Sequence, residues 1–124
     1  MSITFGTVLR EKRRCAQVSQ RKLAELVGVD FSYISKLEND RLPPPAADTI
    51  VRIAGSIGCP SELLLAAAQK LPGNVGPALS VHPAAVRFLQ EASLLSLSDT
   101  EWEQMRGTLK SLREQPQQRL TRRP

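Results

Sequence analysis

Between Ser19 and Glu38 the chain concentrates side chains that can hydrogen-bond or carry charge: Gln20, Arg21, Lys22, Ser32, Tyr33, Ser35 and Lys36. Hydroxyls, amides and cations of this kind recognise a partner; they do not by themselves make or break bonds. Catalysis would need other groups, and the sequence has no Ser/His/Asp set, no glycine-rich phosphate loop and no acid pair placed for a pocket. His82 is the single histidine and Cys15 and Cys59 are the two cysteines, with no cluster at metal-ligand spacing. The chain therefore reads as a binding protein, not an enzyme, with no metal or cofactor.

Two short helices with a tight turn must position these groups. Ser19 is an N-cap residue. Leu23, Ala24 and Val27 give the first helix one apolar face. Gly28 can end it in a left-handed conformation without steric cost, and Asp30 is the next N-cap. Ile34 and Leu37 turn the second helix inward, which leaves Phe31, Ser32, Tyr33, Ser35 and Lys36 on its other faces. Counted from Gln20, small Ala24 is fifth, Gly28 ninth, Ile34 fifteenth and Leu37 eighteenth, the spacing of a helix-turn-helix. An ordinary helical hairpin does not require residue size, spacing and caps to agree in this way.

The words Ser19-Gln20, Leu23-Ala24, Gly28-Val29 and Tyr33-Ile34-Ser35-Lys36-Leu37-Glu38 resemble the lambda-repressor-like, or Xre, family of bacterial and phage regulators. The resemblance covers about residues 3 to 68. It implies an all-α fold, with a five-helix DNA-binding domain over residues 1–68. By position it implies that Phe31, Ser32 and Lys36 meet base edges in the major groove. Lys36 can donate to guanine and Ser32 can donate or accept. Phe31, where many relatives carry a polar reader, can pack on thymine methyls or cover the core edge. Tyr33 and Ser35 would reach phosphate or sugar, Gln20 would touch backbone phosphate at its helix N-terminus, and Asn39 and Arg41 are further phosphate candidates. Arg21 and Lys22 are read as solvated. The resemblance also implies an ion pair between Arg13 and Glu38, tying the first helix to the third.

Net charge is +5, which suits an anionic partner such as DNA. Aromatic residues are only 4% against 41% hydrophobic, so Leu, Ile, Val and Ala must do the packing, which favours helices. No apolar run approaches the ~20 residues of a membrane span, and no signal peptide is visible. A cytoplasmic, reducing setting is expected, with both cysteines as small core or helix-end thiols.

The remaining elements follow in order. Residues 3 to 16 form a first helix with Phe5, Val8, Leu9 and Ala16 as its stripe, and with Lys12 able to snorkel over the core. Gln17 stands where relatives carry glycine, which blurs that helix's end. Residues 39 to 46 are a loop stiffened by three prolines. Residues 47 to 57 form a fourth helix with Ile50, Ile53, Ala54 and Ile57 inward, ended by Gly58; Pro60 starts a fifth with Leu63, Leu64 and Ala67 inward. Residues 69–82 are a linker whose Val75, Ala78, Leu79 and Val81 are expected to pack, with room for one helical turn.

Pro83 opens a helix to residue 94 with Val86, Leu89 and Leu94 inward and Phe88 to one side. Ser98 to Glu101 is a capping box that starts a last helix over 99–114, with Trp102, Met105, Leu109 and Leu112 on one face. The tail 115–124 is polar and basic and is expected to be disordered. Region 83–114 is too small to bury its apolar surface alone. The segment from Leu71-Pro72 through Phe88-Leu89 to Leu97-Ser98-Asp99 and Glu101-Trp102 is similar, more weakly, to the C-terminal part of repressors of DNA-damage responses or integrated elements. That likeness implies homodimerisation through Val86, Phe88, Leu89, Trp102, Met105 and Leu109, and a regulatory peptidase as a partner. The expected function is a sequence-specific transcriptional regulator that binds a palindromic operator in double-stranded DNA as a dimeric repressor. The alternative keeps the fold but makes the chain an antitoxin or adaptor, with a toxin or other protein as its main partner.

Overall fold

The hydroxyl of Thr4 accepts the amide of Thr7 at 3.1 Å, and the Thr7 hydroxyl accepts the Thr4 amide at 3.0 Å. This reciprocal cap starts α1 (Phe5–Cys15). In the computed structural model, which describes residues 3–114, there follow α2 (Gln20–Val27), α3 (Phe31–Glu38), α4 (Ala47–Ser56), α5 (Ser61–Ala67), α6 (Val75–Ser80), α7 (Pro83–Leu95) and α8 (Asp99–Arg113). The architecture is all-α, with no strand among the described residues. The tail 115–124, expected above to be disordered, lies outside them.

The chain divides into two compact units, one up to Leu79 and one from Ser80. The first unit has a core of Phe5, Leu9, Leu23, Val27, Ile34, Leu37, Ile50, Ile53, Ile57 and Leu64, with Ala24, Ala54 and Leu65 among them. α1 packs against α3 and α5, α2 against α3 and α4, and α4 against α5. Ala24 is buried between the helices of the turn motif, where a small residue lets them approach. Gly28, with φ of 82°, reverses the chain between them.

Three tertiary ties hold the loops. The Arg52 guanidinium of α4 donates to the Val27 carbonyl at the end of α2. Lys70 donates from Nζ to the carbonyls of Pro44 (3.3 Å) and Pro45 (2.7 Å), which fastens the proline loop to the end of α5. Asp40, in a left-handed conformation (φ 57°), accepts the Gly6 amide at 3.1 Å and the Thr4 hydroxyl at 2.7 Å. Its charge thereby sits on the positive end of α1. Gly6 is required there: a Cβ on it would lie 2.5 Å from the Leu37 carbonyl oxygen and 2.7 Å from that of Glu38.

Several expectations are corrected. Ala16 is exposed and is not part of the α1 stripe. Gln17 adopts the left-handed cap itself (φ 59°), and Val18 donates back to the Arg13 carbonyl at 3.2 Å. Leu63 is 44% exposed while Leu65 is buried, so the inner face of α5 is Leu64–Leu65. Pro60 is the N-cap of α5, one residue before its first turn. Of the linker residues expected to pack, Val75 is half-buried and Ala78, Leu79 and Val81 are exposed.

The second unit inverts the usual ratio. Among its described residues only Ala92 is buried; Val86, Leu89 and Leu94, expected inward, are exposed. The capping box at the start of α8 is present, with the Ser98 amide donating to Glu101 at 2.9 Å and holding that carboxyl below its usual range. Gly6→Ala is predicted to lower stability by ~1–3 kcal/mol through backbone overpacking, even though alanine is the better helix former by ~1 kcal/mol. Chemical denaturation of both proteins measures the sign directly.

Candidate nucleic-acid interface

Ile34 and Leu37 are fully buried, and they set the rotation of α3 about its axis. With that stripe fixed inward, Phe31, Ser32 and Lys36 are exposed on the outer side and Tyr33 and Ser35 are half-buried. Asp30 precedes the helix in an extended conformation, but its carboxylate makes no cap bond to an amide. It accepts the Ser32 hydroxyl at 2.9 Å instead. Ser32 therefore spends its proton locally and presents lone pairs outward, so an amino group is the complement it suits. Tyr33 packs its ring against the core cluster.

The C-terminal end of α3 is clamped from α1. Glu38 is 1% exposed. It accepts a fork from Arg13, with Nη2 to Oε1 at 2.9 Å and Nε closing on Oε2, while Arg13 Nη1 donates to the Val18 carbonyl at 2.9 Å. Gln20 Nε2 donates to Oε1 of the same carboxylate at 2.9 Å, and Arg10 Nε stands 3.5 Å away. Arg10 also donates to Asn39 Oδ1 at 2.7 Å, and Asn39 Nδ2 donates to the Ser35 carbonyl at 2.9 Å. Gln20 and Asn39 are thus anchored by the protein itself; Asn39 Nδ2 also reaches Ser35 Oγ at 3.5 Å, while Gln20 keeps one amide hydrogen free. Arg41 is exposed just beyond them.

Burial pushes the Glu38 carboxyl up, but the hydrogen bonds from Arg13 and Gln20 and the charges of Arg13 and Arg10 outweigh it and hold it below the usual carboxylate range. The bond to Glu38 in turn raises Arg13 against the opposing effect of burial. Both groups are ionised at neutral pH, so the pair is a fixed, bidentate strut between helices.

Around its mouth lies an open cleft lined by Arg10, Arg13, Arg14, Ser19, Gln20, Arg21 and Phe31. The N-terminus of α2 opens onto it, with the Ser19 hydroxyl accepting the Lys22 amide at 3.0 Å. Cations and a helix N-terminus together make a surface that favours phosphate. Arg21, read from sequence as solvated, has its guanidinium 4.7 Å from the centroid of the Phe31 ring. No periodicity in the sequence announces that contact, because it joins two helices across the turn.

Among the described residues no group of three or more His, Cys, Asp or Glu could hold a metal ion, and no helix is long and apolar enough to cross a membrane. Cys15 is exposed at the end of α1 and Cys59 is half-buried; both are free thiols. Burial raises the Cys59 thiol. Of the residues expected at a dimer interface, Val86, Phe88, Leu89, Trp102 and Leu109 are exposed and Met105 is half-buried.

Residues 9–64 match the profile of the family described as helix-turn-helix. RghRB of Bacillus subtilis, an uncharacterized HTH-type transcriptional regulator, is 33% identical over 91 residues, which are 71% of this chain and 66% of that protein. Another uncharacterized HTH-type transcriptional regulator, from Mycobacterium tuberculosis, is 39% identical over 59 residues, 48% of this chain and 41% of that protein. The chain thus spans less than two thirds of the length of the curated relatives it matches. A crystal structure of SinR, the master regulator for biofilm formation, in complex with DNA is similar over 50% of this chain and 98% of its own, at 24% identity and a TM-score of 0.47.

Because Glu38 is depressed in the folded state, its pairing stabilises the fold above the unfolded carboxyl value of ~4.3. That stability is lost as pH falls through the lower folded value. Glu38→Gln is therefore predicted to be far less stable than the parent at neutral pH and to approach it only as pH falls from the unfolded carboxyl value through the depressed folded one. A constant gap in melting temperature across that range would contradict the assignment.

Proposed function

This chain belongs to the helix-turn-helix, Xre-like family through residues 9–64, and on that premise we propose that it is a sequence-specific DNA-binding transcriptional regulator acting in the cytoplasm. The observation that carries the reading is the geometry of α3. Its apolar side is locked to the core, its C-terminal end is strutted by Arg13, and its free side offers Phe31, Ser32 and Lys36. A helix presented in this way fits the major groove with its first residues toward base edges.

In this reading Lys36 donates to a guanine edge and Ser32 accepts from an exocyclic amino group. Phe31 supplies an apolar contact. The leftover amide hydrogen of Gln20, with Asn39, Arg41 and Arg14, takes phosphates on either side. Anchoring by Glu38 and Arg10 leaves Gln20 and Asn39 in place before DNA arrives, so little ordering is needed on binding. Tyr33 and Ser35 contribute at the sugar edge.

The second unit supports a homodimer. Among its described residues it buries one and leaves Phe88, Leu89, Trp102 and Leu109 at the surface, and a second copy covers them in a symmetric, self-complementary contact. Two α3 helices related by a two-fold axis would then read a palindrome with half-sites about one helical turn apart. Occupancy of such a site at a promoter excludes polymerase, which makes the chain a repressor. A regulatory peptidase or toxin partner would act on this same region. The antitoxin or adaptor reading draws on the same exposed apolar residues, and the two differ in whether the full chain selects a DNA sequence.

Selection from random duplexes separates them. The expected result is an enriched palindrome. Lys36→Ala should lose preference at one base pair per half-site, by ~1–3 kcal/mol, while Gln20→Ala should weaken all sequences alike. If Lys36→Ala weakened every duplex equally, its role at a base would be wrong. Leu89→Asp is predicted to shift the chain to monomer in sedimentation and to lower operator affinity at nanomolar protein concentrations, leaving the melting of the first unit in place.

A further inference from the structure

We propose that Arg21 and Phe31 form one composite reader, in which the ring holds the guanidinium over the head of α3 and the pair selects a guanine next to a thymine. The proposal rests on the DNA-binding reading and deepens it. Phe31 is the first residue of α3, the end that approaches base edges. Phe31 is 38% exposed, and the Arg21 guanidinium carbon lies over its ring, 4.7 Å from the centroid, inside the range of a cation–π contact.

Arg21 is also free to take a new partner. Among the described residues Arg21 makes no ion pair: Glu38, the acid at this cleft, is engaged by Arg13, Gln20 and Arg10, and Glu25, one turn on along α2, is not paired with it. A cation–π contact of this kind limits where the guanidinium can sit while leaving its N–H donors unused. Those donors match O6 and N7 of guanine bidentately, and the remaining edge of the ring suits a thymine methyl group. Lysine would keep the charge at this position but lose both the plane and the fork.

The test uses the full chain in parallel duplex selections with the parent, Arg21→Ala, Arg21→Lys and Phe31→Leu, each checked for its helical melt. The parent should enrich a guanine beside a thymine in each half-site. Arg21→Ala and Arg21→Lys should each flatten the guanine preference, by about ten- to a hundredfold in relative affinity. Phe31→Leu should flatten both positions, since the guanidinium loses its platform. Replacing that thymine by deoxyuridine should weaken the parent and leave Phe31→Leu unaffected. Three results overturn the proposal: Arg21→Lys selecting the parent's site, Arg21→Ala weakening all duplexes equally as a phosphate contact would, or a parent site without the guanine–thymine pair. A parent that enriches nothing removes the DNA-binding reading itself, a failure visible before any variant is compared.

Discussion

The rest of the first unit depends on one buried carboxylate. Glu38 closes the last turn of α3 and gathers Arg13, Gln20 and Arg10 from two other helices. A buried charge of this kind is tolerated only with its partners in place, and losing one of them leaves an uncompensated ion in low dielectric. The same atoms therefore tie α1 to α3 and hold the Gln20 side chain in place. Two residues on, Asp40 repeats the device in the opposite direction, capping the start of α1 from the end of α3. The two acids stitch one helix end to the other, and Gly6 is the gap through which the backbones pass.

Much of this was legible in the sequence, because its determinants are local or periodic. The Ser19 cap, the left-handed Gly28 and the buried Ile34 and Leu37 each follow from a residue type at a fixed offset. The capping box at Ser98 and Glu101 has the same character. What escaped is tertiary. Gly6 in the first turn of a helix is a poor helix former, and that was the available signal of a packing constraint. Asp40 looked like an ordinary loop residue until the fold brought α1 to it. The run Leu63-Leu64-Leu65 cannot show from periodicity alone which of the three faces out, and packing on α4 turns Leu63 outward. Gln17 bears a left-handed φ that glycine would adopt without strain, held by backbone bonds to α1.

The division of labour between the two units has a physical basis. The first closes its core mainly with branched aliphatic residues, helped by Phe5 and the packed Tyr33 ring, and carries polar side chains on its outer surface. The second has two amphipathic helices and leaves most of its large apolar side chains in contact with water. Trp102, Phe88 and Leu109 are among those exposed side chains, the surface on which the proposed homodimer rests. In the first unit Arg21 and Phe31 also meet at the surface, but there the polar and apolar parts are paired with each other and face the cleft of cations.

The central claim is that the outer side of α3, with the N-terminus of α2, is the surface that meets DNA. Backbone amide shifts of the labelled full chain, followed by NMR during titration with a duplex carrying its selected site, test this most directly. The account predicts the largest changes at residues 20–22, 31–36 and 39–41. Changes confined to residues 83–113, with those amides unmoved at saturation, would contradict it.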